Sequence, residues 1–360
     1  QRPAPAPRFV PIARNALAER IDTLRVLASR GDLGEAGLRA FIAQSHALYR
    51  DLLEPLQAEL QGARRWLISP DDVLRSLPWA ALATADADDP AWLIERVSLS
   101  QTVSPEAFAN AHAPVTSASA EATVIGLAAG PAGSSRTAGA TSQTQSLPGA
   151  RAEVLALAEL YGARATLLLD QRATESELRR ALQHTAVDAL HLAVHGELVA
   201  RDPMASYLQL APTAGPAASS AEDGVLSARE IAADLRLRGG LVVLSACDSA
   251  LGGDVGGEGL LGLVRAFHAA GADEVMGTLW RVADRPTAQL MRHFHTRRLQ
   301  GDSSEDALAH AQRAWLQRAR HAGWAETFTR WLDLASALPE EAEQPFYWAG
   351  FALETRDGAR

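Results

Sequence analysis

From about residue 121 onward, short apolar runs and amphipathic stretches take turns, and that alternation leaves few architectures open. Apolar runs lie at 123–128, 165–169, 187–194, 241–246 and 273–279. Helical spacing fills 150–161, 174–183, 227–234 and 259–270, and two more amphipathic stretches follow at 285–299 and 303–319. Strands this uniformly apolar are buried on both faces. Strands alternating with helices predict an α/β fold with a mostly parallel central sheet, flanked by helices on both faces. A last strand is expected over 345–353. In sheets of this kind, function collects at the carboxyl ends of the strands.

The first 120 residues read differently. Leu, Ile, Val and Ala recur at three- and four-residue spacing over 11–31 and 35–62, which predicts two helices. Short strands are expected at 65–69 and 93–100, and a helix near 104–112. The chain therefore divides into an N-terminal helical and strand subdomain, 1–120, and a larger α/β domain, 121–360. Small and polar residues dominate 129–148, 211–224 and 249–258, so surface loops are expected there.

Two of the strand ends carry reactive side chains. The run from Asp188 to Val194 is followed by His195, Gly196 and Glu197, and the run from Leu241 to Ala246 by Cys247, Asp248 and Ser249. Cys247 is the single cysteine, which excludes an internal disulfide and a multi-cysteine metal site. A lone Cys about fifty residues after such a His is the layout of a caspase-like cysteine protease. The thiolate is the attacking species, and a neighbouring imidazole stabilises it and then protonates the leaving amine. The backbone N–H groups of Gly196 and Cys247 are candidates for an oxyanion hole. This chemistry calls for no metal and no cofactor. Right-handed crossovers between parallel strands are expected to bring the two strand ends side by side.

Composition removes rival chemistries. All 34 Lys and Arg positions are Arg, so no P-loop or Schiff-base lysine exists. A net charge of −9 argues against general nucleic-acid binding, and no apolar run reaches the length of a membrane span. The chain begins at Gln1 without a signal peptide's apolar core. The expectation is part of a longer polypeptide working in a reducing cytoplasm. Gly257-Glu258-Gly259-Leu260-Leu261-Gly262 matches a dinucleotide-binding pattern. However, it stands about ten residues past its strand, and Glu258 would repel a pyrophosphate. His191 lies inside its strand and reads as a satisfied core histidine. His293 and His295 point about 200° apart on a helix, which disfavours a shared metal.

The segments His191–Gly196, Leu244–Asp248, Gly257–Leu260, Thr278–Asp284 and Pro345–Phe351 resemble, in order, the signatures of the CHAT domain. This is a caspase-like and separase-like group of cysteine peptidases of clan CD. Leu147–Glu153, and Leu67–Asp71 with Leu77–Leu82, resemble further parts of the family, so the likeness runs from about 45 to 355; Arg75 departs from it where a His is often found. The resemblance implies a caspase-like fold, a His195–Cys247 dyad, an oxyanion hole from the Gly196 and Cys247 amides, and a cleft lined by Trp280 and Asp284. By similarity to separases, Asp284 faces a basic P1 side chain, giving cleavage of a protein substrate after Arg or Lys. Asp248 and Glu258 are further acidic candidates, whereas Arg281 points to an acidic P1. An upstream sensor region or a partner is the expected activator. The alternative is a catalytically silent CHAT-type binding or scaffold module.

Overall fold

The computed structural model describes residues 11–87, 89–102, 122–129, 148–184, 187–199, 201–213, 222–245, 258–321, 339 and 341–356. Its strands are β1 (Arg65–Ile68), β2 (Ser98–Thr102), β3 (Val124–Ala128), β4 (Ala165–Leu169), β5 (Ala189–Ala193), β6 (Gly196–Glu197), β7 (Tyr207–Gln209), β8 (Val225–Ser227), β9 (Leu241–Ser245), β10 (Glu274–Thr278) and β11 (Phe351–Thr355). The α-helices are α1 (Arg14–Ala28), α2 (Gly34–Leu52), α3 (Gln57–Leu60), α4 (Leu93–Arg96), α5 (Pro148–Tyr161), α6 (Glu175–His184), α7 (Ala228–Asp234), α8 (Glu258–Ala270), α9 (Asp284–Leu299) and α10 (Ser304–Arg320).

Eight strands share one sheet in the order β1-β2-β11-β10-β9-β5-β3-β4, and β6, β7 and β8 form a second, antiparallel one. Every pair in the large sheet is parallel except β10 with β11. The expected α/β architecture is therefore present. Because β2 pairs with β11, the sheet runs unbroken from the N-terminal segment into the later one.

Side chains of successive strand residues leave by opposite faces, and the two faces meet different helices. Leu190, Leu192, Val242 and Leu244 pack with Leu178 of α6, Ile231 of α7 and Phe267 of α8. On the other face Ala189, Leu241 and Val243 pack with Leu157 of α5 and Phe294 of α9. Covering both faces explains why these strands are apolar throughout. No helix among the described residues is long and apolar enough to cross a membrane.

Three local expectations are corrected. The helix expected over 35–62 stops at Leu52, and Pro55 opens a 3-10 turn over Glu54–Leu56. Leu93–Arg96, expected in a strand, is a helical turn in which Glu95 Oε2 accepts from the Trp92 N–H at 2.8 Å; the strand starts at Ser98. The strand expected over 345–353 is preceded by a 3-10 turn at Pro345–Tyr347, where the Ala349 N–H donates to the Pro345 carbonyl at 2.8 Å, and it runs only from Phe351. The helix expected near 104–112 lies outside the described residues.

Gly262, the last glycine of the dinucleotide-like pattern, lies inside α8 against the turn Pro203–Ala205. A Cβ there would collide with the Pro203 carbonyl, so this glycine serves helix packing. Ala favours a helix over Gly by about 1 kcal/mol, but overpacking costs about 1–3 kcal/mol, and here the obstacle is backbone. Gly262→Ala is expected to lower stability by about 1–2 kcal/mol. Urea denaturation checks this, and an unchanged midpoint would contradict it.

Candidate active site

β5 and β9 are parallel neighbours, and their last residues, Ala193 and Ser245, are Cα partners. His195 and Cys247 each follow two positions later in the sequence. Adjacent strands lie about 4.8 Å apart, so the register sets the carboxyl ends of the two strands, Ala193 and Ser245, side by side. His195 is half-buried and Gly196 buried. Cys247 and Asp248 lie outside the described residues.

The backbone after His195 is fixed by β7. The Gln209 N–H donates to the His195 carbonyl at 2.7 Å, and the next pair in register is Gly196 with Leu208. Bonded and non-bonded pairs alternate in an antiparallel ladder. The Gly196 N–H therefore points away from β7.

On the other flank of β9, β10 leads into the turn holding Trp280 and Arg281, and then into α9. The sheet order thus places β9 between the strand leading to His195 and the strand leading to Asp284. Trp280 is only 3% exposed. Its indole N–H donates to the Phe346 carbonyl at 3.3 Å, and Gly350 is close enough that a Cβ there would stand 3.2 Å from Trp280 Nε1. The indole therefore braces the turn from inside. Arg281 is exposed. Asp284 is the first residue of α9 and Glu258 the first of α8; their side chains lie outside the described residues.

The CHAT domain family model matches residues 43–356. The chain belongs to the CHAT domain family. This span agrees with the reach of the motifs, and CHAT domains are of caspase-like peptidase type. Among solved structures, the chain is similar to the Saccharomyces cerevisiae separase–securin complex, with TM-score 0.45 and 11% identity over 81% of this chain and 15% of that one. It is also similar to the Arg-specific cysteine proteinase gingipain R, with TM-score 0.43 and 9% identity over 96% and 76% of the chains. A complex of the Porphyromonas gingivalis RgpB pro- and mature domains gives TM-score 0.41 and 7% identity over 96% and 78%. No curated protein matches the sequence.

Beneath the site, this CHAT domain buries a chain of polar side chains. His191 Nε2 is 2.7 Å from Glu153 Oε1, His191 Nδ1 is 3.1 Å from His295 Nε2, and His295 Nδ1 is 2.9 Å from the Tyr161 hydroxyl. His191 and His295 have no exposed surface, and Tyr161 and Glu153 almost none. The core reading of His191 holds. Its partners were not foreseen, since they lie 38 and 104 residues away in sequence. Burial, with His191 and Arg298 nearby, holds the His295 imidazole well below the usual range. Burial pushes the Tyr161 hydroxyl up to about 12. Among the described residues no three His, Cys, Asp or Glu side chains form a metal-binding group.

Protonation of His295 should make stability pH-dependent. Its native pKa lies below the unfolded value of about 6.5. As pH falls through 6.5 the unfolded chain takes up a proton that the native state refuses, so this contribution to stability is lost. Glu274, fully buried, acts in the opposite sense, with burial pushing its carboxyl up to about 7 against opposition from Arg298. Its contribution is greatest at low pH and is lost as pH rises from about 4.3 to about 7. Urea titrations between pH 4.5 and 7.5 are expected to show the acid-side loss reduced in His295→Gln. The neutral-side loss is expected to shrink in Glu274→Gln. Slopes identical to wild type would contradict these assignments.

Proposed function

We propose that this CHAT domain is a cysteine endopeptidase working through a His195–Cys247 dyad. The observation that supports the reading is the Ala193–Ser245 register, which sets the strand before His195 beside the strand before Cys247 in a parallel sheet. The Cys247 thiolate attacks the scissile carbonyl carbon, and the resulting oxyanion is held by the Gly196 and Cys247 N–H groups. Collapse breaks the C–N bond as the leaving amine takes a proton from the His195 imidazolium. A water then gives its proton to His195 and attacks the thioester, releasing the acid and restoring the thiolate.

A basic P1 residue, Arg or Lys, suits Asp284. A carboxylate at the first position of a helix is favoured by the free N–H groups there, and a desolvated carboxylate–guanidinium pair is bidentate and selective. Asp248 and Glu258 are further acidic candidates for this recognition, whereas Arg281 would favour an acidic P1 residue. Control by an upstream sensor region or partner, and a cytoplasmic location, belong to the same proposal.

Digestion of a peptide library tests it. Cys247→Ala and His195→Ala are each expected to lower kcat/KM by about 10³-fold or more. Asp284→Asn is expected to lower cleavage after Arg by about 10²-fold, the order lost when one member of a buried charge pair is removed. Activity retained by Cys247→Ala would overturn the dyad. No cleavage by wild type, with or without an upstream region or partner, would favour the silent scaffold.

A further inference from the structure

The buried chain Glu153–His191–His295–Tyr161 joins three elements that matter to the site. His191 is on β5, the strand that ends two residues before His195. His295 is on α9, the helix that Asp284 opens. Glu153 and Tyr161 are on α5, which lies against both. Buried polar groups gain little over an apolar core of the same shape, so adhesion alone accounts poorly for four of them in line.

The distances allow a continuous chain in which both imidazoles are neutral. Tyr161 O–H donates to His295 Nδ1, His295 Nε2–H to His191 Nδ1, and His191 Nε2–H to the Glu153 carboxylate. Every polar atom on the line is then matched and both tautomers are set by their neighbours. The low pKa of the His295 imidazole is consistent with this neutral form.

We propose that this chain is a positioning device that fixes β5, and with it His195, against α9. Glu153, His191, His295 and Tyr161 are positioning residues, acting on the dyad through the strand rather than by touching the substrate. The proposal rests on the His195–Cys247 reading. Its physical basis is the steepness of reactivity with geometry, where a shift of about 1 Å can cost about 10²-fold.

Cys247 is the single cysteine, so alkylation by iodoacetamide reports on it alone. The rate is followed against pH for wild type, His195→Ala, His295→Phe, His295→Gln and Tyr161→Phe, with folding checked by circular dichroism. Wild type is expected to have its midpoint at least about one pH unit below His195→Ala, a tenfold difference in thiolate fraction. His295→Phe is expected to move most of the way to the His195→Ala profile. His295→Gln, whose amide N–H can still donate to His191 Nδ1, is expected to stay near wild type. Tyr161→Phe, which loses only a hydroxyl, is expected to fall between them and decides the matter if His295→Phe does not fold. If wild type and His195→Ala coincide, the dyad fails and this proposal with it. If they differ while His295→Phe and Tyr161→Phe both match wild type, the dyad stands and the positioning role is overturned. A His295→Gln profile shifted as far as that of His295→Phe, or as far as that of His195→Ala, would overturn it too.

Discussion

The parallel pairing of β5 with β9 is the constraint on which the rest of the site depends. It sets Ala193 beside Ser245 and so decides which residues leave the sheet edge together. A slip of one residue would turn every side chain of β5 to the other face, carrying Leu190 and Leu192 out of the cluster that includes Phe267. The register is thus held by core packing. β10 lies on the far side of β9 and brings the turn at Trp280 and Arg281 to the same edge. On the proposed reading, these three neighbouring strands lead to a base, a nucleophile and a specificity turn.

The helices add a second layer of control. On one face α6, α7 and α8 meet the sheet through apolar side chains alone among its central strands. On the other, α5 and α9 meet β5 partly through the Glu153–His191–His295–Tyr161 line. Apolar contacts tolerate small slides, whereas a hydrogen-bonded line in a low-dielectric interior demands one geometry. The helix on this polar face, α9, is also the one that begins at Asp284.

Much of this was legible in the sequence because buried parallel strands advertise themselves as apolar runs. β4 was expected at 165–169 and is found there, and the cores of β3, β5, β9 and β10 fall within their expected ranges. The strand ends at His195 and Cys247 followed from the same runs, and the signatures around them identified the CHAT family. The misreadings come from single residues that override a pattern. Pro345 opens a 3-10 turn, its carbonyl accepts from the Ala349 N–H, and β11 begins only at Phe351. Glu95 caps a helical turn where alternation predicted strand. Pairings far apart in the chain were not legible at all. Neither the joining of β2 to β11 nor the meeting of His191 with His295 leaves a local trace.

The proposed dyad requires His195 and Cys247 to act as one catalytic unit. Covalent trapping with a peptidyl acyloxymethyl ketone bearing Arg at P1, read by intact-protein mass and peptide mapping, tests it most directly. The expected result is one adduct per chain, on Cys247, formed by wild type and lost in His195→Ala. No adduct on wild type, or equal labelling of both proteins, would contradict the account.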